Sequence, residues 1–147
     1  MKALNRVQTC FEEGSLRHVA PSKGKAFNSL AFAGEWLNEA AINLASGSYR
    51  SALSSAYLAM FHAARAILFR DGIREKSHYC VGAYLETYVE QGKLEGQWVA
   101  VFDRIRSARH TDQYSFESIP SKEELEAGLK TAQEFVSRMQ KLLEETG

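Results

Sequence analysis

Residues 48–70 read SYRSALSSAYLAMFHAARAILFR. Tyr49, Leu53, Ala56, Met60, Ala64 and Ile67 recur at steps of three and four and form one helical stripe. Tyr57, Phe61 and Leu68 widen that stripe until most of the circumference is apolar. A helix of that kind sits at the centre of a bundle or is buried in a partner. Only His62 and Arg65 interrupt its C-terminal half, so the run falls short of an expected membrane span.

The segments on either side are also helical. A first helix is expected over 2–13, with Leu4, Val7 and Phe11 on one side and Gly14 after its end. HVAPSKGK is read as a loop, and Ser22 as the cap of a second helix reaching Ser46. Phe27, Leu30, Gly34, Leu37, Ala41 and Leu44 form its expected inner face. RDGIREK is a turn, after which Ser77 caps a fourth helix that turns Val81, Leu85, Tyr88 and Val89 inward. A fifth helix starts near Gln97, and SFESIP is a loop. Ser121 and Glu124 have the spacing of a capping box for the last helix. Leu125, Leu129, Ala132, Phe135, Val136, Met139 and Leu143 make its face. Short loops between long helices favour antiparallel neighbours. The expected fold is therefore all-α, an up-and-down bundle of five to six helices in one domain over residues 1–147.

At 147 residues, with 45% hydrophobic and 24% charged residues, the chain can bury a sizeable core. Eighteen basic residues balance eighteen acidic ones, so any nucleic-acid contact must be local rather than spread over a basic surface. Two cysteines without a CxxC pair suggest no disulfide framework, which fits a reducing cytosol. The N-terminus lacks the apolar core of a signal peptide, so a soluble, cytoplasmic protein is expected. The four histidines are scattered, with no HExxH and no glycine-rich phosphate loop, and neither a metal nor a cofactor is expected.

The chemistry-bearing residues concentrate in DRIRSARHTDQYSFE, residues 103–117. On a continuous helix Trp98, Val101, Phe102 and Ala108 fall within about 60° of Ile105 and define a core face. Arg109 and Asp112 share that face three residues apart, the spacing of a buried ion pair or of a pair supporting a site. Arg106, His110 and Tyr114 make a stripe beside it, while Arg104 lies about 100° away on the other side. Imidazole transfers protons near neutral pH, and guanidinium neutralises charge developing on a phosphate. The same stripe also suits a solvated helix flank. His62 with Arg65, and His78 after Lys76-Ser77, are secondary candidates, each also explicable as a core or capping residue.

Two segments together resemble a known family. Ala56-Tyr57, Met60-Phe61, Ala63 to Leu68, Gly72 and Lys76-Ser77-His78 are followed by an arginine-rich helix ending RHTDQY. This pattern is similar to the HEPN superfamily, in the branch related to the C-terminal domain of sacsin, over about residues 25–143. The resemblance implies an all-α bundle that dimerises. It implies a metal-independent endoribonuclease with an arginine, four to six residues, then a histidine, both subunits contributing to one cleft. It also implies a toxin paired with a minimal nucleotidyltransferase antitoxin. Arg104 and His110 match that spacing, with Ile105 where a polar residue is usual, whereas only three residues separate Arg106 from His110. The alternative is an inactive module of the same fold that binds a nucleotidyltransferase partner or a nucleotide.

Overall fold

The computed structural model describes residues 2–114 and 120–146, with side chains over 6–110 and 120–146. Six helices follow one another: α1 (Lys2–Glu12), α2 (Lys23–Ala45), α3 (Tyr49–Asp71), α4 (His78–Glu90), α5 (Gly96–Tyr114) and α6 (Lys122–Thr146). The expected all-α bundle is present. Two caps read from the sequence are formed: Ser22 Oγ accepts from the Lys25 amide at 3.1 Å, and Ser121 and Glu124 exchange bonds at 3.1 and 3.2 Å.

α3 is the centre, with α2, α4, α5 and α6 all packed on it. By length and composition α3 does reach the range of a membrane-crossing helix, contrary to the expectation, but most of it is buried inside the bundle. Its apolar circumference therefore serves internal packing.

The buried face of α2 differs from the expected one. Ala26, Ser29, Ala33 and Ala40 are buried, while Phe27 is 65% exposed. Small residues make the buried face of α2, and Ala52, Ser55, Ala56, Ala59 and Ala63 are buried on α3. Small side chains let two helices approach closely. At that separation Ser29 Oγ donates to the His62 carbonyl of α3 at 2.7 Å, and Asn43 Nδ2 to Ser55 Oγ at 3.0 Å. A phenylalanine in the seam would hold the helices apart, so the large residues rotate to the rim.

A small antiparallel ribbon pairs β1 (Leu16–His18), at the start of the expected loop, with β2 (Ile73–Glu75) inside the expected turn, so that Leu16 faces Glu75 and His18 faces Ile73. Gly72 joins α3 to β2 with φ +76°, and a Cβ there would come within 2.5 Å of the Val19 carbonyl oxygen. Only glycine fits both the left-handed backbone and that approach. The expectation of no disulfide framework is corrected: Cys10 of α1 and Cys80 of α4 are joined in a disulfide across 70 residues. Ala108, expected in the core, is exposed, while Arg106 and Arg109 on the same stretch of α5 stay half-buried against α4 and α3.

Candidate functional site

Tyr57 of α3 is fully buried, yet its hydroxyl lies 2.8 Å from Nδ1 of His78 in the first turn of α4. The His78 ring stacks on Phe61, with centroids 4.0 Å apart and planes 16° from parallel. The Arg109 guanidinium of α5 sits 5.3 Å from the centre of the Tyr57 ring. Three helices thus meet at one tyrosine–histidine pair. Ser77 holds the extended conformation ahead of α4, which sends His78 back across α3.

Arginines surround this pair in different states. Arg106 lies 3.7 Å from Asp103 and 5.5 Å from the Tyr79 ring centre. The Nε atoms of Arg106 and Arg109 are buried without a hydrogen-bond partner among the described residues. Arg65 Nε is 2.6 Å from Glu75 Oε1, a contact of charges with the N–H turned off the carboxylate, and its guanidinium covers Phe69 at 4.9 Å. Glu75 is almost buried, so this pair fixes β2 to α3. Breaking one side would strand a buried charge.

His62 and His78 are held neutral. Burial is the main cause at His78, and Arg109, Arg65 and Arg106 push its pKa down further. His62, edge-on to Phe32 at 4.7 Å and to Phe61 at 5.2 Å, is lowered to about 4 by burial, then by Arg65 and His78. Burial drives the Tyr57 phenol well above its ordinary value, against the pull of Arg106 and Arg109. It therefore stays a neutral hydroxyl.

A lowered histidine pKa ties stability to pH. Above the unfolded value of about 6.5, His62 is neutral in both states. Below it the unfolded chain takes up a proton that the folded chain refuses, so stability falls as pH drops towards 4. The urea midpoint is expected to decline between pH 7 and pH 4.5, and His62→Gln to decline less. Equal declines would place the pH dependence elsewhere.

Among the residues picked from sequence, Arg106 and Arg109 are half-buried and reach the Tyr57–His78 neighbourhood. His110 is exposed on α5, as is Arg104 on another side of that helix. Asp112 and Tyr114 belong to α5, but their side chains lie outside the described residues, so the Arg109–Asp112 pairing does too. His62, Arg65 and His78, secondary in the sequence, converge with Phe61 into one cluster. Tyr57 enters the sequence reading as part of the apolar stripe and of the family motif, not as a site residue. The signal available for it was a phenol hydroxyl in the middle of a mostly apolar stripe. Among the described residues no three of His, Cys, Asp and Glu gather as metal ligands.

A family model described as HEPN domain matches residues 28–142 of the chain. A protein of Methanocaldococcus jannaschii named "Putative toxin" is 31% identical over 117 residues, which span 79% of this chain and 87% of that relative.

Proposed function

The chain belongs to the HEPN domain family, and from that premise we propose that it is a toxin-type, metal-independent endoribonuclease. It works as a homodimer and is silenced by a minimal nucleotidyltransferase antitoxin. The observation that carries this reading is the neutral His78, bonded to Tyr57 and ringed by Arg65, Arg106 and Arg109. A neutral imidazole among guanidiniums suits an anionic substrate that must lose a proton.

In this reading the ribose 2′-oxygen attacks the adjacent phosphorus and its proton passes to Nε2 of His78. That requires the hydrogen of neutral His78 to sit on Nδ1 and to be donated to Tyr57 Oη, which orients the ring. The bond from phosphorus to the 5′-oxygen breaks, and His110 supplies the proton to that oxygen. A cyclic 2′,3′-phosphate remains. Arg106 and Arg109 stabilise the charge that builds on the phosphoryl oxygens. Arg104 and Tyr114 lie along the same helix as further contacts for the RNA strand.

Growth arrest on expression tests the whole reading. Wild-type chain is expected to stop growth and Arg106→Ala/His110→Ala to permit it, with a co-expressed neighbouring nucleotidyltransferase relieving the arrest. Cleavage of RNA in vitro should persist in a metal chelator. One observation favours the inactive-module alternative: Asp103 already neutralises part of Arg106, and Glu75 holds Arg65. Stable capture of the nucleotidyltransferase without any cleavage would decide for it.

For the dimer, the apolar rim of α2 is the better face than α3, whose circumference is used inside the bundle. Phe32 is exposed there, edge-on to the half-buried Trp36 and His62. Phe32→Glu is expected to turn a micromolar dimer into monomer in sedimentation experiments. A dimer that survives it would move the interface off α2.

A further inference from the structure

The family match starts at residue 28, so α1 and β1 precede it. α1 lies on α4, with a smaller contact to β1. It is fastened by the Cys10–Cys80 bond, by Arg6, and by the Lys76 amide donating to the Ser15 carbonyl at 2.8 Å. Arg6 pairs with Glu86 of α4 and reaches Asp103 of α5 at 3.4 Å. Its guanidinium stands 4.6 Å from the Tyr79 ring centre.

Those last two partners are also the partners of Arg106. Asp103 offers Oδ2 to Arg6 and Oδ1 to Arg106, and Tyr79 lies under both guanidiniums. Asp103 is packed tightly against α4, since a Cβ on Gly82 would come within 2.6 Å of its Oδ1. The carboxylate is thus a fixed anion divided between an arginine from the matched domain and one from the added helix.

We propose that α1 is a thiol-operated clip that sets how much charge Arg106 shows to a ligand. With the disulfide formed, Arg6 is held on Asp103 and takes part of the carboxylate from Arg106. A dithiol reduces the bond, giving two protein thiols and one oxidised dithiol, with two electrons and two protons transferred. Without the covalent tie, α1 is held by the Arg6 contacts, the buried Val7, the packing of Phe11 and the three-residue ribbon, a hold that opens far more often than the bonded one. As Arg6 leaves, Asp103 pairs with Arg106 alone and the surface loses one positive charge. Cys10 and Cys80 both line a groove of about 520 Å³ shared with Thr9, Glu13, Ser15 and Tyr79, the side from which a thiolate would approach. The clip stands by itself, while its effect on a phosphate ligand rests on the nuclease reading above.

The test uses the full chain, air-oxidised or treated with dithiothreitol, with free thiols counted in each. Amide exchange over residues 6–18 is expected to quicken roughly tenfold or more on reduction, while α3 and α6 stay protected. Two free thiols with unchanged exchange in that segment would overturn the clip, and so would two free thiols before any reductant is added. A fluorescent single-stranded oligoribonucleotide is expected to bind about three- to tenfold more weakly after reduction, because one cationic contact is lost. Arg6→Ala should bind as weakly as the reduced chain and ignore reductant. An equal response in Arg6→Ala would overturn Arg6 as the link. If exchange quickens but the oligoribonucleotide binds neither form, the clip is upheld and the nuclease reading is what fails.

Discussion

His110→Ala is expected to slow RNA cleavage by about 10²–10⁴ and yet to cleave a uridine 3′-(4-nitrophenyl phosphate) at nearly the wild-type rate. His78→Ala is expected to slow both. The difference follows from where each proton goes. A 5′-alkoxide is a poor leaving group and needs a proton as its bond to phosphorus breaks. Nitrophenolate leaves without one, so the acid becomes dispensable while the base does not. The assignment comes from environment: His78 is half-buried, neutral and oriented by Tyr57, whereas His110 is exposed on α5. The lowered His78 pKa also extends base activity below the pH at which an ordinary imidazole would be protonated. The acidic limb of kcat/KM should therefore fall below about 6.5, the reference imidazole value. The opposite pattern of rescue would exchange the two roles. Full activity in both variants, with circular dichroism unchanged, would remove the histidines from the chemistry.

The sequence carried the helices because their evidence is local. Periodic apolar positions put Val81, Leu85, Phe135 and Met139 in the core, and a serine–glutamate spacing marked the start of α6. Where contact between helices decides, local reading misleads. Hydropathy favours Phe27 over Ala26 for the inner face of α2, but closeness to α3 selects the alanine. β1 and β2 are three residues each, too short for alternation to register, and the disulfide joins residues 70 apart. The site divides in the same way. Arg106 and Arg109 announce themselves on one arginine-rich helix. The Tyr57–His78 contact crosses from α3 to α4 and needs the fold before it can be seen. Arg65 is a secondary candidate beside His62 in the sequence, and only the fold shows that β2 brings Glu75 to it.

Phe102→Ala is expected to cost about 3–5 kcal/mol, the usual range for emptying a phenylalanine site in a core. In a domain of this size that lowers Tm by roughly 10–20 °C. The ring is completely buried, stacks on Phe135 of α6 at 5.8 Å with planes 19° apart, and leans on Tyr57 of α3 at 5.7 Å. One side chain thus joins α5 to two other helices and forms a wall of the tyrosine that orients His78. Phe102→Leu keeps most of the apolar volume and should cost only about 1–2 kcal/mol. It still removes the flat face against Tyr57. The pair separates two roles of the ring: alanine reports its weight in the core, and leucine reports its hold on the site. Leucine should lower Tm by only roughly 3–8 °C while lowering kcat more than KM is raised, because orientation of the base matters at the transition state. If leucine leaves kcat unchanged, Tyr57 is positioned without Phe102. A cost below about 1 kcal/mol for alanine would mean that α5 is anchored elsewhere along its length.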